Sequence, residues 1–397
     1  MVSATAPPTS RNRRRIIAGG LAASALGLAR KVTGAAGQPL RIGVSLGLTG
    51  TYAEPSTMQR RGYELWRDDM NARGGILGRS IALDIRDDRS DANESRAIYR
   101  DFSRSGTVDH VFGPYSSEIT AAVAPVVDAA DFPMLAAGAS ADDIWQRGYK
   151  GVFGMWTPAS RYTQGMLRLA RANGLTTVAL LNSDDAFSRE VAAGTVKWAP
   201  YLHLAVVHRQ EVEKSRADLQ PGIRMAMHQK ADLIMIAGHL AEAIQARRAL
   251  ADAAWEPRAF YATVGPALPD WPTHVGVAMD MTFTTSIWEP NDSFPRSWDF
   301  QAAFAKRHGI PPSYHAATAY AAGDILSQAI GLAGTDARNE VRSALFALDT
   351  YSVLGRFAVD RTGIQVKRLD MLVQWQGGNK QIVWPDEVRS AAPVIGR

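Results

Sequence analysis

The chain has 397 residues, 46% hydrophobic and 21% charged, with 44 basic and 39 acidic side chains and a formal net charge of +5. That length accommodates two ordinary domains, and the composition is that of a soluble globular protein. Six of the positive charges (Arg11, Arg13, Arg14, Arg15, Arg30 and Lys31) fall within residues 1–37, which hold no acid; the remainder has 38 basic against 39 acidic residues, a charge of about −1, which argues against a nucleic-acid surface.

Residues 1–37 read as an export signal. Arg13-Arg14-Arg15 stand before Ile16-Ile17, a modest apolar stretch runs from Ala18 to Ala29, and small residues follow at Gly34-Ala35-Ala36. The arginine pair suits the twin-arginine type, with a Sec signal carrying a generous basic region as the other reading. The apolar stretch is too short to span a bilayer. The chain has no cysteine, so neither a lipidation site nor a disulfide framework is expected, and the expected location is the periplasm, in soluble form.

From Leu40 onward short apolar runs alternate with helical patterns. Ile42 to Leu46 predicts a strand, and the helix predicted from about Thr57 to Ala72 buries Met58, Leu65, Trp66 and Met70 before Gly74-Gly75 ends it. Ile81, Leu83 and Ile85 alternate as a strand whose end carries Asp84, Asp87, Asp88 and Asp91. These acids lack the glycine and spacing of a calcium loop, so turn formation is the preferred reading and no metal is assigned. Val108 to Phe112 predicts a strand leading into Gly113-Pro114-Tyr115, and Ser116 and Ser117 fall where the next helix starts. That helix carries a stripe of Ile119, Val123, Val126, Val127 and Ala130. Met134 to Ala136 predicts a further strand, and Ser140, with Asp143 three places on, has the pattern of an N-cap. Two adjacent helix starts with hydroxyls can seat a small anion such as a carboxylate; serines that merely cap their helices are the other reading.

Further strands are predicted at Thr177 to Leu181, Leu204 to His208, Leu233 to Ile236 and Ala259 to Thr263. A long buried helix carries Ala317, Ala321, Ile325, Ala329 and Leu332. This alternation predicts an α/β fold with parallel sheets flanked by helices. Chemistry-bearing motifs are missing: no His-Glu-x-x-His, no Gly-x-Ser-x-Gly elbow, no P-loop and no Gly-x-Gly-x-x-Gly after a strand. An enzyme is not expected, nor is a cofactor. Without cysteine a zinc site would need a His/carboxylate cluster, which the spacing does not supply.

Several segments resemble, in the same order, the type I periplasmic binding proteins of the branched-chain amino acid and amide/urea group. They are the run Arg41 to Gly50, the run Asn71 to Gly78, the Gly113 to Thr120 turn, Ala136 to Ser140, and Val373 to Gly377 with Val383-Trp384-Pro385. The resemblance implies a two-lobed fold, each lobe a parallel sheet flanked by helices, crossed three times near Trp156-Thr157, Thr284 to Trp288 and Phe357 to Asp360. Its implied boundaries are 38–156 and 285–358 for one lobe and 157–284 and 359–397 for the other. Such a hinge closes on a ligand held between lobes.

By the same resemblance a ligand carboxylate meets Ser117, Gly138 and Ser140, Tyr115 and Phe187 are aromatic walls, and His239 is a further contact, with helix capping as its other reading. The position that holds an ammonium-pairing acid in amino acid binders falls on Val264, which cannot pair a buried charge. Asp184 or Asp185 could replace it. The implied role is an extracytoplasmic solute receptor, expected to be monomeric, that binds a small carboxylate, amino acid or amide, aromatic acids among them, and delivers it to an ABC permease in the inner membrane. A ligand sensor that presents its bound state to a membrane receptor or regulator is the alternative.

Overall fold

The computed structural model describes residues 37–213, 218–291, 293–367 and 370–396. The basic segment expected to direct export lies outside them. Two sheets organise the described chain. In the first, β1 (Leu40–Leu46), β2 (Ile81–Asp87), β3 (His110–Phe112), β4 (Met134–Ala136) and β5 (Val152–Gly154) run parallel in the order β2-β1-β3-β4-β5. The helices α1 (Ala53–Ala72), α2 (Ala92–Ser105), α3 (Ser117–Ala129) and the four-residue α4 (Asp143–Gln146) connect them. β1 buries every residue except Arg41, as a strand covered on both faces must.

After α5 (Gln164–Ala172) the second sheet takes β6 (Thr177–Ser183), β7 (Ala205–Val212), β8 (Leu233–Ala237), β9 (Ala259–Ala262) and β10 (Thr282–Ser286), all parallel. Their connections include α6 (Ala186–Tyr201), α7 (Gln220–His228), α8 (Leu240–Asp252) and the short α9 (Trp271–Val275). The chain then builds α10 (Ser297–His308), α11 (Tyr314–Ala333), α12 (Arg338–Ala347) and a small hairpin, β11 (Thr350–Ser352) with β12 (Gly355–Phe357). It returns to the second sheet as β13 (Met371–Gln376) and β14 (Asn379–Trp384), giving the order β14-β13-β10-β9-β8-β6-β7.

The parallel sheet expected in each half is present in both, and the second is extended at one edge by an antiparallel pair. β13 runs antiparallel to β10, and β14 antiparallel to β13. The pairing of β14 with β13 is local: Gly377 and Gly378 both have positive φ and form a two-residue turn, which joins only antiparallel strands.

The late helices are fastened to the first sheet through α11, which lies along α1. A Cβ on Gly62 would stand 2.1 Å from the Ala316 carbonyl oxygen, and one on Gly323 would stand 2.1 Å from the Trp66 indole, so the two helices approach at glycine on both sides. Trp66 is fully buried there and donates its indole N–H to Ser327 Oγ at 3.3 Å. Ile119, Val123 and Val127 of α3 are buried as the stripe predicts, whereas Val126 and Ala130 are half-buried. Leu332, expected in the core, lies in the last turn of α11 and is 60% exposed. Among the described residues no helix is long and apolar enough to cross a membrane.

Two histidines are entombed by this packing. Burial pushes His110, the first residue of β3, down to about 4, and His315, in the first turn of α11, down to about 3. Both are neutral when folded and take up a proton when unfolded near pH 6.5. Their stabilising contribution is complete above that value and is lost as pH falls toward the folded values, by about 1.4 kcal/mol per pH unit for each group. Urea midpoints between pH 7 and 4.5 should therefore fall with acidification, and His110→Asn should flatten the slope by about one proton's worth. An identical slope in the variant would contradict this assignment.

Candidate functional site

The C-terminal ends of strands from both sheets converge on one small cavity, the place where open α/β sheets accept ligands. Its volume is about 10 Å³, and it is lined by Tyr115, Ser116, Ser117, Gly138, Ser140, Trp156, Phe187, His239 and Val264. Seven of the eight residues named from the sequence are thus brought together. The eighth, Asp185, stands behind His239.

On the first sheet's side, β3 ends and Gly113-Pro114-Tyr115 leads into α3, with Ser116 at the N-cap. The loop after β4 approaches so closely that Tyr115 and Gly138 form a parallel bridge, and a Cβ on Gly138 would stand 2.9 Å from Tyr115 Cα. Ser117 Oγ accepts the backbone N–H of Ser140 and of Ala141, each at 3.1 Å. A hydroxyl has two acceptor lone pairs and one proton. With both lone pairs committed, Ser117 can offer the cavity only a donor, the polarity that suits an anion.

Ser140 is not an N-cap. Asp142 occupies that position before α4, and its carboxylate accepts Ser160 N at 3.0 Å and Ser160 Oγ at 2.6 Å. The amides at the start of α4 are instead taken by Glu190 of α6, whose carboxylate accepts from Asp142 N and from Asp143 N, the latter at 3.1 Å. The expected pair of free helix starts therefore reduces to one, at α3. Burial and the nearby Asp142 charge push the Glu190 carboxyl up to about 7, against the lowering by those two amides.

The second sheet supplies the other wall. Asp185 caps α6, accepting Ser188 N at 3.2 Å and Ser188 Oγ at 2.6 Å, which sets Phe187 in the first turn. His239 holds the N-cap position of α8, where its backbone N–H donates to Glu242 Oε2 at 2.8 Å. Its Nε2 stands 3.5 Å from Asp185 Oδ1, within ion-pair range but beyond a well-formed hydrogen bond. Burial alone would raise the Asp185 carboxyl; His239, followed by Ser188, outweighs it and holds the group well below the usual carboxylate range.

Rings pack around the cavity in a continuous series. Tyr52 lies edge-on to both Tyr115 and His239, at centroid distances of 5.3 and 5.0 Å. Phe187 stands 5.7 Å from His239 and 5.5 Å from Tyr162, and Trp156 lies 6.1 Å from His315. Tyr115 OH and His315 Nε2 are 3.4 Å apart. Tyr52, His315 and the lining residue Trp156 were missed as site residues. Trp156 was legible only as a crossing point, and the other two arrive through tertiary packing. The acids after β2 have structural partners: Asp88 accepts from Ser45 Oγ at 2.7 Å, Asp91 caps α2 and Asp84 pairs with Arg86.

Residues 39–380 match the family described as periplasmic binding protein. The Leu/Ile/Val-binding protein homolog 7 of Brucella melitensis is 26% identical over 388 residues, covering 91% of this chain and 96% of that one. Among solved structures, the branched-chain amino acid transporter substrate-binding protein LivJ of Streptococcus pneumoniae, in complex with isoleucine, superposes with a TM-score of 0.79 at 18% identity, covering 87% of this chain and all of that one. A solute-binding protein of an ABC transporter from R. palustris, in complex with benzoate, superposes with a TM-score of 0.78 at 20% identity, covering 90% and 99%.

Because Ser117 Oγ satisfies two buried amides, Ser117→Ala should lower the stability of the ligand-free protein by about 2 kcal/mol, within the range of about 1–3 for buried groups left unpaired. Urea denaturation measures it. An unchanged midpoint would show that Ser140 N and Ala141 N do not depend on this hydroxyl.

Proposed function

The chain belongs to the periplasmic binding protein family, and from that premise we propose that it is the solute receptor of an ABC importer whose ligand is a small carboxylate without an α-amino group, an aromatic acid above all. Members of this family are non-catalytic and work outside the cytoplasm. We assign residues 38–156 and 285–358 to one lobe and 157–284 and 359–397 to the other, with the ligand held in the cavity between them and the same lining residues as its contacts.

The observation that carries this reading is the pairing of a donor-only Ser117 with a wall that has no acid. None of the nine lining residues is acidic, and Val264, on the second sheet's side, is apolar and buried. The one carboxylate nearby, Asp185, already accepts from Ser188 and faces His239. An ammonium brought into this cavity would shed water without a free counter-charge, a cost of about 3–5 kcal/mol for an unpaired buried ion. A carboxylate would meet the Ser117 hydroxyl and the α3 N-terminus, while Tyr115, Trp156 and Phe187 would flank a flat apolar body. At about 10 Å³ the cavity has room for about one water, so its two walls must part to admit such an acid. The same fold holds benzoate in the R. palustris protein and isoleucine in that of S. pneumoniae, so the choice between the two ligand classes falls to the lining residues.

A thermal-shift screen of matched acids tests it: benzoate alone, 3-phenylpropanoate against phenylalanine, and 4-methylpentanoate against leucine. A ligand at a hundred times its Kd adds about 2.7 kcal/mol to the native state. The deaminated acids should raise the melting temperature more than their amino counterparts, and Val264→Glu should narrow or reverse the difference. Greater stabilisation by leucine or phenylalanine in the wild-type protein would overturn the proposal and point to Asp185 as the ammonium partner.

A further inference from the structure

A second cluster of polar groups spans the two sheets away from this cavity. Glu54 lies in the first turn of α1, which follows β1; Asp270 and His274 stand one helical turn apart on α9, which follows β9. His274 Nε2 is 3.3 Å from Glu54 Oε1 and 3.6 Å from Asp270 Oδ2, and one ligand atom from each of the three residues lies within 4.8 Å of the others.

His274 lies within ion-pair range of both acids, and this pairing leaves other polar atoms over. Glu54 Oε2, Asp270 Oδ1 and His274 Nε2 are all shielded from solvent and lack a hydrogen-bond partner. One oxygen of each carboxylate and an imidazole nitrogen thus lie close enough together to share a single ion.

The separations identify the class of cation. Zinc binds imidazole nitrogen and carboxylate oxygen at about 2.0–2.2 Å in a tetrahedron, whose edges are then about 3.3–3.6 Å. The Glu54–His274 and Asp270–His274 separations, 3.3 and 3.6 Å, match that span. Ligands of one nitrogen and two oxygens suit zinc better than calcium, which takes six to eight oxygens. A water can complete the shell from the adjoining cavity, which is lined in part by Glu54, Thr57, Arg61, Asp270 and Thr273.

We propose that Glu54, Asp270 and His274 form a zinc-class divalent metal site that staples the two lobes together and favours their closed arrangement. The stapling half of the proposal rests on the closing-lobe reading above; the metal half does not. Because Glu54 comes from one side of the cleft and the other two ligands from the other, the full site exists only when the sides meet, and the ion must favour closure by linkage.

Titration calorimetry with zinc chloride alone, on the protein lacking residues 1–37 as the expected mature chain, should give about one equivalent. Cobalt(II) should give the intense visible absorption of a tetrahedral site. Glu54→Gln and His274→Ala should each weaken binding at least tenfold with unchanged circular dichroism; Glu54→Gln, which keeps the side chain's shape, serves if the histidine variant folds poorly. Small-angle scattering should show zinc-dependent compaction in the wild type and none in Glu54→Gln. Absence of stoichiometric binding, or binding indifferent to both substitutions, overturns the metal site. Binding without compaction overturns the staple. Neither result bears on the carboxylate screen, which is run in chelator.

Discussion

The Ser117 hydroxyl fixes the geometry on which the cavity depends. By accepting two backbone amides from the loop after β4 it binds that loop to the start of α3, and so holds the ends of two adjacent parallel strands in one rigid edge. The same act leaves it a single proton to give. A neutral side chain thereby becomes a directional donor in a buried place, where a hydrogen bond to a charged acceptor is worth roughly twice a neutral one. Gly138 is the complement of this arrangement, since a side chain there would collide with Tyr115 and prevent the two loops from meeting.

The second sheet answers that edge with groups already satisfied among themselves. Asp185 faces His239 and accepts from Ser188, and Glu190 spends its two oxygens on the amides at the start of α4 across the cleft. The charged groups near the cavity thus hold the wall in shape and leave its inner face to rings, an apolar valine and hydroxyls. Contact between the sheets is consequently of two kinds. Aromatic packing from Tyr52, Tyr115, His239 and Phe187 gives adhesion without direction, and carboxylate-to-amide bonds such as that of Glu190 give register.

Much of this was legible in the chain because it is local. The strand-then-helix rhythm follows from short apolar runs and glycine stops, and the Ser116-Ser117 turn follows from a strand that ends in Gly113-Pro114. What was not legible depends on residues distant in sequence. Ser140 has the pattern of a cap with Asp143, yet the amides it would have served are taken by Glu190. The antiparallel pair β13 and β14 is not marked by its apolar pattern and rests on the tight turn at Gly377 and Gly378. Trp156 looked like a connector and is a wall, because only the path of β5 turns its ring toward the cavity. The Glu54, Asp270 and His274 cluster has no sequence spacing to betray it, since α1 and α9 belong to opposite sides of the cleft.

The central claim is that a carboxylate meets Ser117 within a cavity that has no charge for an ammonium. A crystal structure of the protein grown with benzoate tests it most directly. The account predicts one carboxylate oxygen within about 3 Å of Ser117 Oγ, hydrogen-bond distance to a charged acceptor, with the ring between Tyr115, Trp156 and Phe187 and the Ser117 contacts to Ser140 N and Ala141 N intact. A ligand turned with its carboxylate toward His239, or seated outside this cavity altogether, would contradict it.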